Sequence, residues 1–510
     1  MEMFVRRTRT TDTLVGVLRA QAARTPEAPF LIFEREPGIL EQRSWADQVE
    51  RTGRAAAALL RLGVGPGDRV GLHLSNAPEF YDAWFGACAV GATVVPTNPL
   101  STTDELRFMH SHAGCRVVVT QPDLRDTVVA AGAEVVLDVA DGALLDDDLH
   151  DEVASAPGVA AGVLYTSGTT SRPKGVLVTH AAYLHAGDVV AAHLRLRPDD
   201  RQLVVLPLFH GNAQYYSTMS ALVTGASIAL APRFSASRWS EQAQVMDATV
   251  ASLFAAPIRM VLAQAPSAAD RSHRLRAVLF AQNVSSEQAR TFQERFAVPL
   301  AQLYGMTETV FPPLMNPLYE RRSPSSMGRP VPGAQVRLVG PDGLDVGVGQ
   351  AGELWVHGEP GATVMAGYLD DPETTARTLA DGWLRTGDLA RADADGYLSF
   401  VDRAKDMIKR AGENVSCAEV EGVVGEHPDV FEAAAIGVPD DVRDEALHVF
   451  VVLHPGATVT EDELLSLCRE RLARFKVPDR IAFVSDLPRT SVGKIQKHLL
   501  RQPAVAAIPS

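Results

Sequence analysis

The sequence predicts an α/β protein of more than one domain, and three observations carry that expectation. From Thr13 to about Leu314, helix-like and strand-like segments alternate. From Gly328 to Phe400 the pattern changes to short alternating runs punctuated by glycine and proline. After Asp402 the chain reads as compact α+β to near Leu500. Strand–helix alternation means a sheet with helices on its faces, and short alternating runs mean a β-rich subdomain. A chain of 510 residues is too long for one core, so two to four domains are expected.

The elements follow in order. Residues 45–62 are helical, with Val49, Gly53, Ala56, Leu59 and Leu60 marking one face. Residues 69–74 form a strand. The apolar stretch 83–95, broken by Gly86 and Gly91, is too short to span a membrane and reads as a buried helix followed by a strand. Residues 117–119 and 135–137 are short buried strands. Residues 203–206, 228–230, 251–254 and 278–280 repeat the pattern, and 285–296 supplies a helix after the last. The β-rich stretch contains runs at 335–339, 353–356 and 397–400, with a turn at Pro341-Asp342-Gly343. The charged junction Asp402-Arg403-Ala404-Lys405-Asp406 reads either as a solvated surface turn or as a hinge between folded regions. The tail 503–510 has no pattern and reads as loose.

Apolar content of 46% and charged content of 22% are those of a soluble globular protein. The net charge of −14 argues against nucleic acid or an anionic membrane as the main partner. Cys88, Cys115, Cys417 and Cys468 show neither C-x-x-C nor zinc spacing; Cys88 and Cys115 lie in apolar sequence and read as core thiols. This suits a reducing cytoplasm. Arg6, Arg7 and Arg9 are followed by no apolar segment, so no signal peptide is expected.

The most informative stretch is Tyr165-Thr166-Ser167-Gly168-Thr169-Thr170-Ser171-Arg172-Pro173-Lys174-Gly175-Val176, which continues an apolar run. A strand entering such a loop is a candidate phosphate cradle. Glycine lets the backbone approach, hydroxyls donate hydrogen bonds, and Lys174 adds a point charge. The spacing is not the Walker one, and Pro173 sits just before the lysine. An ordinary surface turn is the plainer alternative. A second constellation is Tyr304-Gly305-Met306-Thr307-Glu308, where a hydroxyl beside a carboxylate suits a phosphate contact next to a Mg²⁺ ligand. Without further context a solvated loop glutamate is the better reading. Asp388, after a Thr-Gly turn, reads alone as a turn cap. His210 in Pro207-Leu208-Phe209-His210-Gly211 reads alone as structural, and Lys494 in Pro488-Arg489-Thr490-Ser491-Val492-Gly493-Lys494 as a solvated lysine.

Together these motifs resemble those of the adenylate-forming enzymes: acyl- and aryl-CoA synthetases, adenylation domains and firefly-type luciferases. The resemblance runs from about residue 13 to 500. It implies a large N-terminal domain of two α/β sheets plus a β-rich subdomain, and a small mobile α+β C-terminal domain. The boundaries it gives are an AMP-binding domain at 1–402, its β-rich part at about 328–402, a hinge at 403–406 and the mobile domain at 407–510. It implies ATP, Mg²⁺ and CoA as cofactor and co-substrates. Thr166, Ser167, Gly168, Thr169, Thr170 and Lys174 would hold phosphates. Tyr304 would stack on adenine, with Gly305, Met306 and Asn283 also in the nucleotide site, Thr307 would touch the α-phosphate and Glu308 would hold Mg²⁺. Asp388 and Arg403 would bind ribose, and Lys405 falls at the hinge. Lys494 would insert between the carboxylate and the α-phosphate. Gly412 would let the pantetheine arm pass, and Lys409 lies in the same swinging segment. His210 falls at the junction of the acyl pocket and the thiol tunnel, where it would either orient the carboxylate or gate CoA entry.

The sequence departs from the family pattern twice, the first departure bearing on loop mobility and the second on substrate. Ser171 replaces the second glycine of the family loop. Ala281-Gln282-Asn283-Val284 stands where relatives commonly have a Gly-Gly-Ala-like run between the adenine and acyl sites. Gln282 and Asn283 should narrow the pocket and make it polar, which disfavours long-chain fatty acids. Residues 408–421 and Asp444-Glu445-Ala446 most resemble carnitine- and crotonobetaine-type CoA ligases. Tyr215, Tyr216 and Trp239 read as pocket lining or as core aromatics. The expected activity is ATP-dependent activation of a small or aromatic carboxylic acid as acyl-AMP, then transfer to the CoA thiol. The alternative keeps adenylation and changes the acceptor or substrate: a carrier-protein thiol, an amine, or nitrite activated for N–N bond formation. Oligomeric state is left open, a homodimer among the options.

Overall fold

The structure, a computed structural model, describes residues 12–145, 148–150, 153–166, 173–320, 322–323, 326–403, 406–410, 413–440, 444–489 and 495–501. Ser167, Gly168, Thr169, Thr170, Lys405, Gly412 and Lys494 lie outside the described residues. The described residues fall into two units. The first holds those up to 166, 173–336 and 356–384; the second holds 337–355 and those from 385 on.

The first unit contains two sheets built by strand–helix alternation. A seven-stranded sheet runs in the order Gly367–Tyr368, Lys174–Thr179, Ala160–Thr166, Thr93–Pro96, Arg69–His73, Val117–Thr120, Val135–Asp138. Its inner pairings are parallel. Val117–Thr120 is buried at every residue, which is why it reads as an unbroken β-branched run instead of an alternating one. A nine-stranded sheet runs in the order Arg329–Pro330, Leu314–Met315, Leu300–Tyr304, Ala277–Ala281, Val250–Phe254, Arg201–Val204, Ser227–Leu230, Pro29–Glu36, Ile39–Ser44. Its inner pairings are also parallel, with antiparallel strands at both edges.

Helices Leu14–Arg24, Trp45–Arg61, Pro78–Ala89, His180–Leu194 and Met219–Thr224 pack on one another. Pro78–Ala89 is buried along almost its whole length, its residues apolar apart from Glu79 and Asp82. A Cβ added at its Gly86 would stand 2.7 Å from the Cβ of Ala55, so glycine permits the close crossing with Trp45–Arg61. An aromatic chain runs through this layer. Phe30 meets Trp45 and Tyr81 edge-on, Trp84 meets Tyr183, and Tyr183 meets Tyr215 at 5.3 Å. The one charge buried completely here, Asp82, accepts from Arg43, Arg51 and Gln48 and is thereby satisfied.

A third sheet has the order Val336–Val339, Ala351–His357, Trp383–Ala392, Leu379–Ala380, with Leu398–Arg403 also paired to Trp383–Ala392. The β-rich texture of the sequence is this sheet. The last sheet has the order Glu413–Val415, Ile408–Arg410, Asp444–Leu453, Val430–Asp440, with Arg480–Phe483 parallel to Asp444–Leu453. Helices Cys417–Val424 and Glu461–Arg471 complete an α+β core of Val420, Val449, Val451, Leu464 and Ile481. Lys497 pairs with Glu421 at 2.7 Å inside this region, and burial pushes the Glu421 carboxyl up. Lys497 is thus a structural lysine, three positions from Lys494.

Candidate functional site

Thr166 ends the strand Ala160–Thr166 and Lys174 begins the strand Lys174–Thr179, and the two residues are register partners in an antiparallel ladder. The hydroxyl- and glycine-rich segment between them is therefore the connection of a hairpin. Strand–loop–strand differs from the strand–loop–helix of a Walker loop, where a helix N-terminus attracts phosphate. Here the lysine is the fixed charge. Its Nζ lies 5.1 Å from the ring centroid of Tyr368, within cation–π range.

Tyr368 is the site residue that sequence reasoning missed. It sits on the edge strand Gly367–Tyr368, opposite Val176. Its hydroxyl donates to Glu308 Oε1 at 2.9 Å. Burial, with the neighbouring Glu308 charge, pushes the Tyr368 phenol well above its ordinary pKa, so it stays protonated and donates. One ring thus joins the lysine of the first motif to the carboxylate of the second. No local motif marks Tyr368; only the strand pairing that places it beside Val176 would have revealed it.

The segment from Tyr304 to Glu308 leaves the end of the strand Leu300–Tyr304. Tyr304 is largely buried at 8% exposure. Thr309 Oγ1 accepts from the Met306 N–H at 3.0 Å and donates to the Met306 carbonyl at 3.1 Å. The Tyr215 hydroxyl reaches the Thr307 carbonyl at 3.5 Å, and the Glu308 carbonyl accepts from the Met365 N–H at 3.0 Å. Gly305 is required by space, because an added Cβ would stand 2.2 Å from the Tyr216 hydroxyl. Tyr216 is 5% exposed, so its ring has little room to give way. Gly305→Ala is expected to cost about 1–3 kcal/mol by overpacking. Thermal unfolding should read this as a lowered midpoint, and a midpoint equal to that of the parent would show that Tyr216 yields.

Glu308 is 6% exposed, and its carboxylate is a hard oxygen donor. Mg²⁺ fits it, taking one or two carboxylates together with phosphate oxygens and water. Among the described residues no group of three or more His, Cys, Asp or Glu could hold a metal by itself. Glu308 would therefore hold Mg²⁺ jointly with nucleotide phosphates.

His210 follows the strand Arg201–Val204 on a loop held by buried carboxamides. Asn76 donates to the carbonyls of Leu206 and Ala231 and accepts from the Leu208 N–H at 2.7 Å. Gln214 donates to the Leu208 carbonyl and accepts from the Tyr183 hydroxyl. His210 Nδ1 accepts from the Asn212 N–H at 3.2 Å, so the neutral ring carries its proton on Nε2. The ring stands edge-on to Phe254 at 5.3 Å. A π-helix, Asn212–Thr218, begins two residues later and holds Tyr215 and Tyr216, both buried. Trp239 is a core aromatic, packed on Phe292 and Phe296 at 5.5 and 5.2 Å.

The Gln282-Asn283 pair lies beyond the end of the strand Ala277–Ala281. Gln282 has φ +72°, the left-handed region that favours glycine. Asn283 is exposed; its Oδ1 accepts from Gln302 at 2.8 Å.

In the second unit, Asp388 and Arg403 are register partners across the hairpin of Trp383–Ala392 and Leu398–Arg403. Arg403 Nε lies 3.2 Å from Asp388 Oδ1. Asp388 is 5% exposed, and Gly387 before it has φ +70°. The Gly387 N–H donates to Glu353, and the Thr386 hydroxyl donates to the Leu354 carbonyl. Fifteen residues of sequence thus close on one ion pair through a hairpin, which the spacing alone did not show.

Comparison with known proteins agrees with this architecture. The profile of the AMP-binding enzyme family matches residues 18–369, and that of the AMP-binding enzyme C-terminal domain matches 419–494. A crotonobetaine/carnitine–CoA ligase of Proteus mirabilis is 38% identical over 495 residues, covering 92% of this chain and 95% of the relative. An anthranilate CoA ligase in complex with anthranoyl-AMP superposes with a TM-score of 0.88 at 25% identity, covering 98% of each chain. An O-succinylbenzoate coenzyme A synthetase from Bacillus subtilis, in complex with ATP and magnesium ion, gives 0.85 at 27% identity, covering 95% of this chain and 99% of that one. Fold and matches together define an adenylate-forming, ATP-dependent ligase that produces AMP and pyrophosphate. The chain belongs to the AMP-binding enzyme family, among its acyl- and aryl-CoA ligases, which use ATP with Mg²⁺ and take CoA as co-substrate. No helix among the described residues is long and apolar enough to cross a membrane.

Proposed function

We propose that this chain joins a small or aromatic carboxylic acid to CoA through an acyl-AMP intermediate. The observation that carries the reading is the Lys174–Tyr368–Glu308 array, which brings the lysine of the phosphate-loop hairpin beside the carboxylate of the Tyr304–Glu308 motif. The carboxylate oxygen attacks the α-phosphorus of ATP, and the bond to the leaving pyrophosphate breaks. The nucleophile is already an anion, so the task of the protein is positioning and charge neutralisation. Lys174 and Thr166, with Ser167, Gly168, Thr169 and Thr170, hold the departing phosphates. Thr307 contacts the α-phosphate, Tyr304 the adenine, and Asp388 with Arg403 the ribose. Glu308 would hold Mg²⁺, which would neutralise part of the phosphate charge. His210 presents Nε2–H to the acid carboxylate, and Lys494 stabilises the pentacoordinate transition state.

The 407–510 domain then turns about Lys405, withdrawing Lys494 and presenting Gly412. The CoA sulfur attacks the acyl carbon, and AMP leaves with the bridging oxygen. The polar Gln282-Asn283 loop and the carnitine-type relatives support a compact polar acid. The four cysteines are unpaired, which suits a reducing cytoplasm, and a homodimer is a proposal that sedimentation would decide. A pyrophosphate-release screen over short, aryl and betaine-like acids and nitrite, with and without CoA, tests the function. Release should require an acid, and CoA should raise turnover. AMP formed at the same rate with and without CoA would move the reading to another acceptor.

A further inference from the structure

Asn212 opens the π-helix Asn212–Thr218 and is 3% exposed. Neither its Oδ1 nor its Nδ2 has a hydrogen-bond partner. Among the described residues no other asparagine or glutamine has both side-chain amide atoms buried and unpartnered. Such groups are rare in folded proteins, because a buried amide without partners loses its hydration and gains nothing in return. An apolar residue of the same size would serve the fold better here.

The surrounding carboxamides show that this is not general looseness. Asn76 makes three hydrogen bonds, Gln214 makes one through each amide atom, and Gln302 pairs with Asn283. Asn212 alone of this group is left with two donors and an acceptor to spend. Its backbone N–H is fixed on His210 Nδ1, so the residue is tied to the ring assigned above to the acid carboxylate. A π-helix is itself a feature frequent at functional sites.

We propose that Asn212 is a specificity-determining residue whose amide pairs with a hydrogen-bonding substituent near the carboxylate of the acid, making hydroxy acids the preferred substrate class. A hydroxyl can donate to Oδ1 and accept from Nδ2 together, answering both orphaned atoms. Alkyl, unsubstituted aryl and trimethylammonium groups can do neither. The inference rests on the reading of the chain as an acid–CoA ligase with His210 at the carboxylate.

The test compares kcat/KM for thioester formation on matched acids: 3-hydroxybutyrate with butyrate, 2-hydroxybutyrate with butyrate, and 2-hydroxybenzoate with benzoate. At least one hydroxy acid should be preferred by on the order of 100-fold, because a site built to bond a hydroxyl rejects the analogue that lacks it. Asn212→Leu should reduce that preference to within about threefold, chiefly by slowing the hydroxy acid. Asn212→Ala, which also lacks a donor and an acceptor, provides a second variant should the leucine protein fail to fold. Equal rates for every pair in the parent, or a preference kept in the variants, overturns the proposal. Pyrophosphate release that needs no acid at all defeats the underlying ligase reading instead.

Discussion

Lys494→Ala should lose acid-dependent pyrophosphate release by about 1,000-fold, while conversion of supplied acyl-AMP and CoA to thioester persists. The first half-reaction brings a carboxylate against a triphosphate, two anions that repel. In the pentacoordinate transition state the negative charge is spread over the attacking, equatorial and leaving oxygens. A fixed cation at the carboxylate and α-phosphate offsets this charge only while the bond is forming. The second half-reaction brings no second anion against a polyphosphate: the acyl carbon is neutral, and the electron pair of the broken C–O bond leaves with AMP after the 407–510 domain has withdrawn Lys494. Stopped pyrophosphate release with intact thioester formation is therefore the signature of Lys494. The neighbouring lysine provides a control: Lys497 is paired with Glu421 at 2.7 Å, so Lys497→Ala should lower stability and leave the ratio of the two half-reactions unchanged. Equal loss of both half-reactions in Lys494→Ala would contradict the assignment.

Glu308→Gln should have the next largest effect. Glutamine keeps the shape and still accepts the hydrogen bond that Tyr368 donates to Oε1 at 2.9 Å, so the fold is retained while the charge is lost. Calorimetric titration with ATP should show the Mg²⁺-dependent part of the affinity falling by about 100-fold, with binding in excess chelator little changed. Tyr368→Phe keeps the ring beneath Lys174 and removes only the hydroxyl. Outer partners of metal ligands typically contribute 10–100-fold to affinity, so about 10-fold weaker Mg²⁺ dependence is expected there. An unchanged Mg²⁺ dependence in Glu308→Gln would remove Glu308 as the ligand.

Much of the scaffold was legible because central parallel strands are buried on both faces. Val117–Thr120 and Ala277–Ala281 therefore stand out as apolar runs, and the helix Ser286–Phe296 begins at a Ser285 cap that the sequence displays. The N-terminal strands Pro29–Glu36 and Ile39–Ser44 were not anticipated; the second is mostly exposed and polar, so it lacks an apolar signal. The charged motifs were legible because their residue types are uncommon at such spacing. Their supports were not. Asn76 holds the His210 loop from 132 residues away in sequence, and Tyr368 reaches Glu308 from 60 residues away. Neither has a local pattern, and each is fixed by strand order. Gln282 shows the converse: the sequence displayed an unusual residue, but only its φ of +72° shows the strain placed on a side chain there.

The central claim is that one carboxylate oxygen of the acid becomes bonded to the α-phosphorus of ATP before CoA takes the acyl group. It is tested most directly by turnover of an acid labelled with ¹⁸O in its carboxylate, with ATP, Mg²⁺ and CoA, followed by mass spectrometry of the nucleotide. The predicted result is AMP carrying one ¹⁸O, formed in equal amount with acyl-CoA and pyrophosphate. Unlabelled AMP, or ADP in its place, would contradict it.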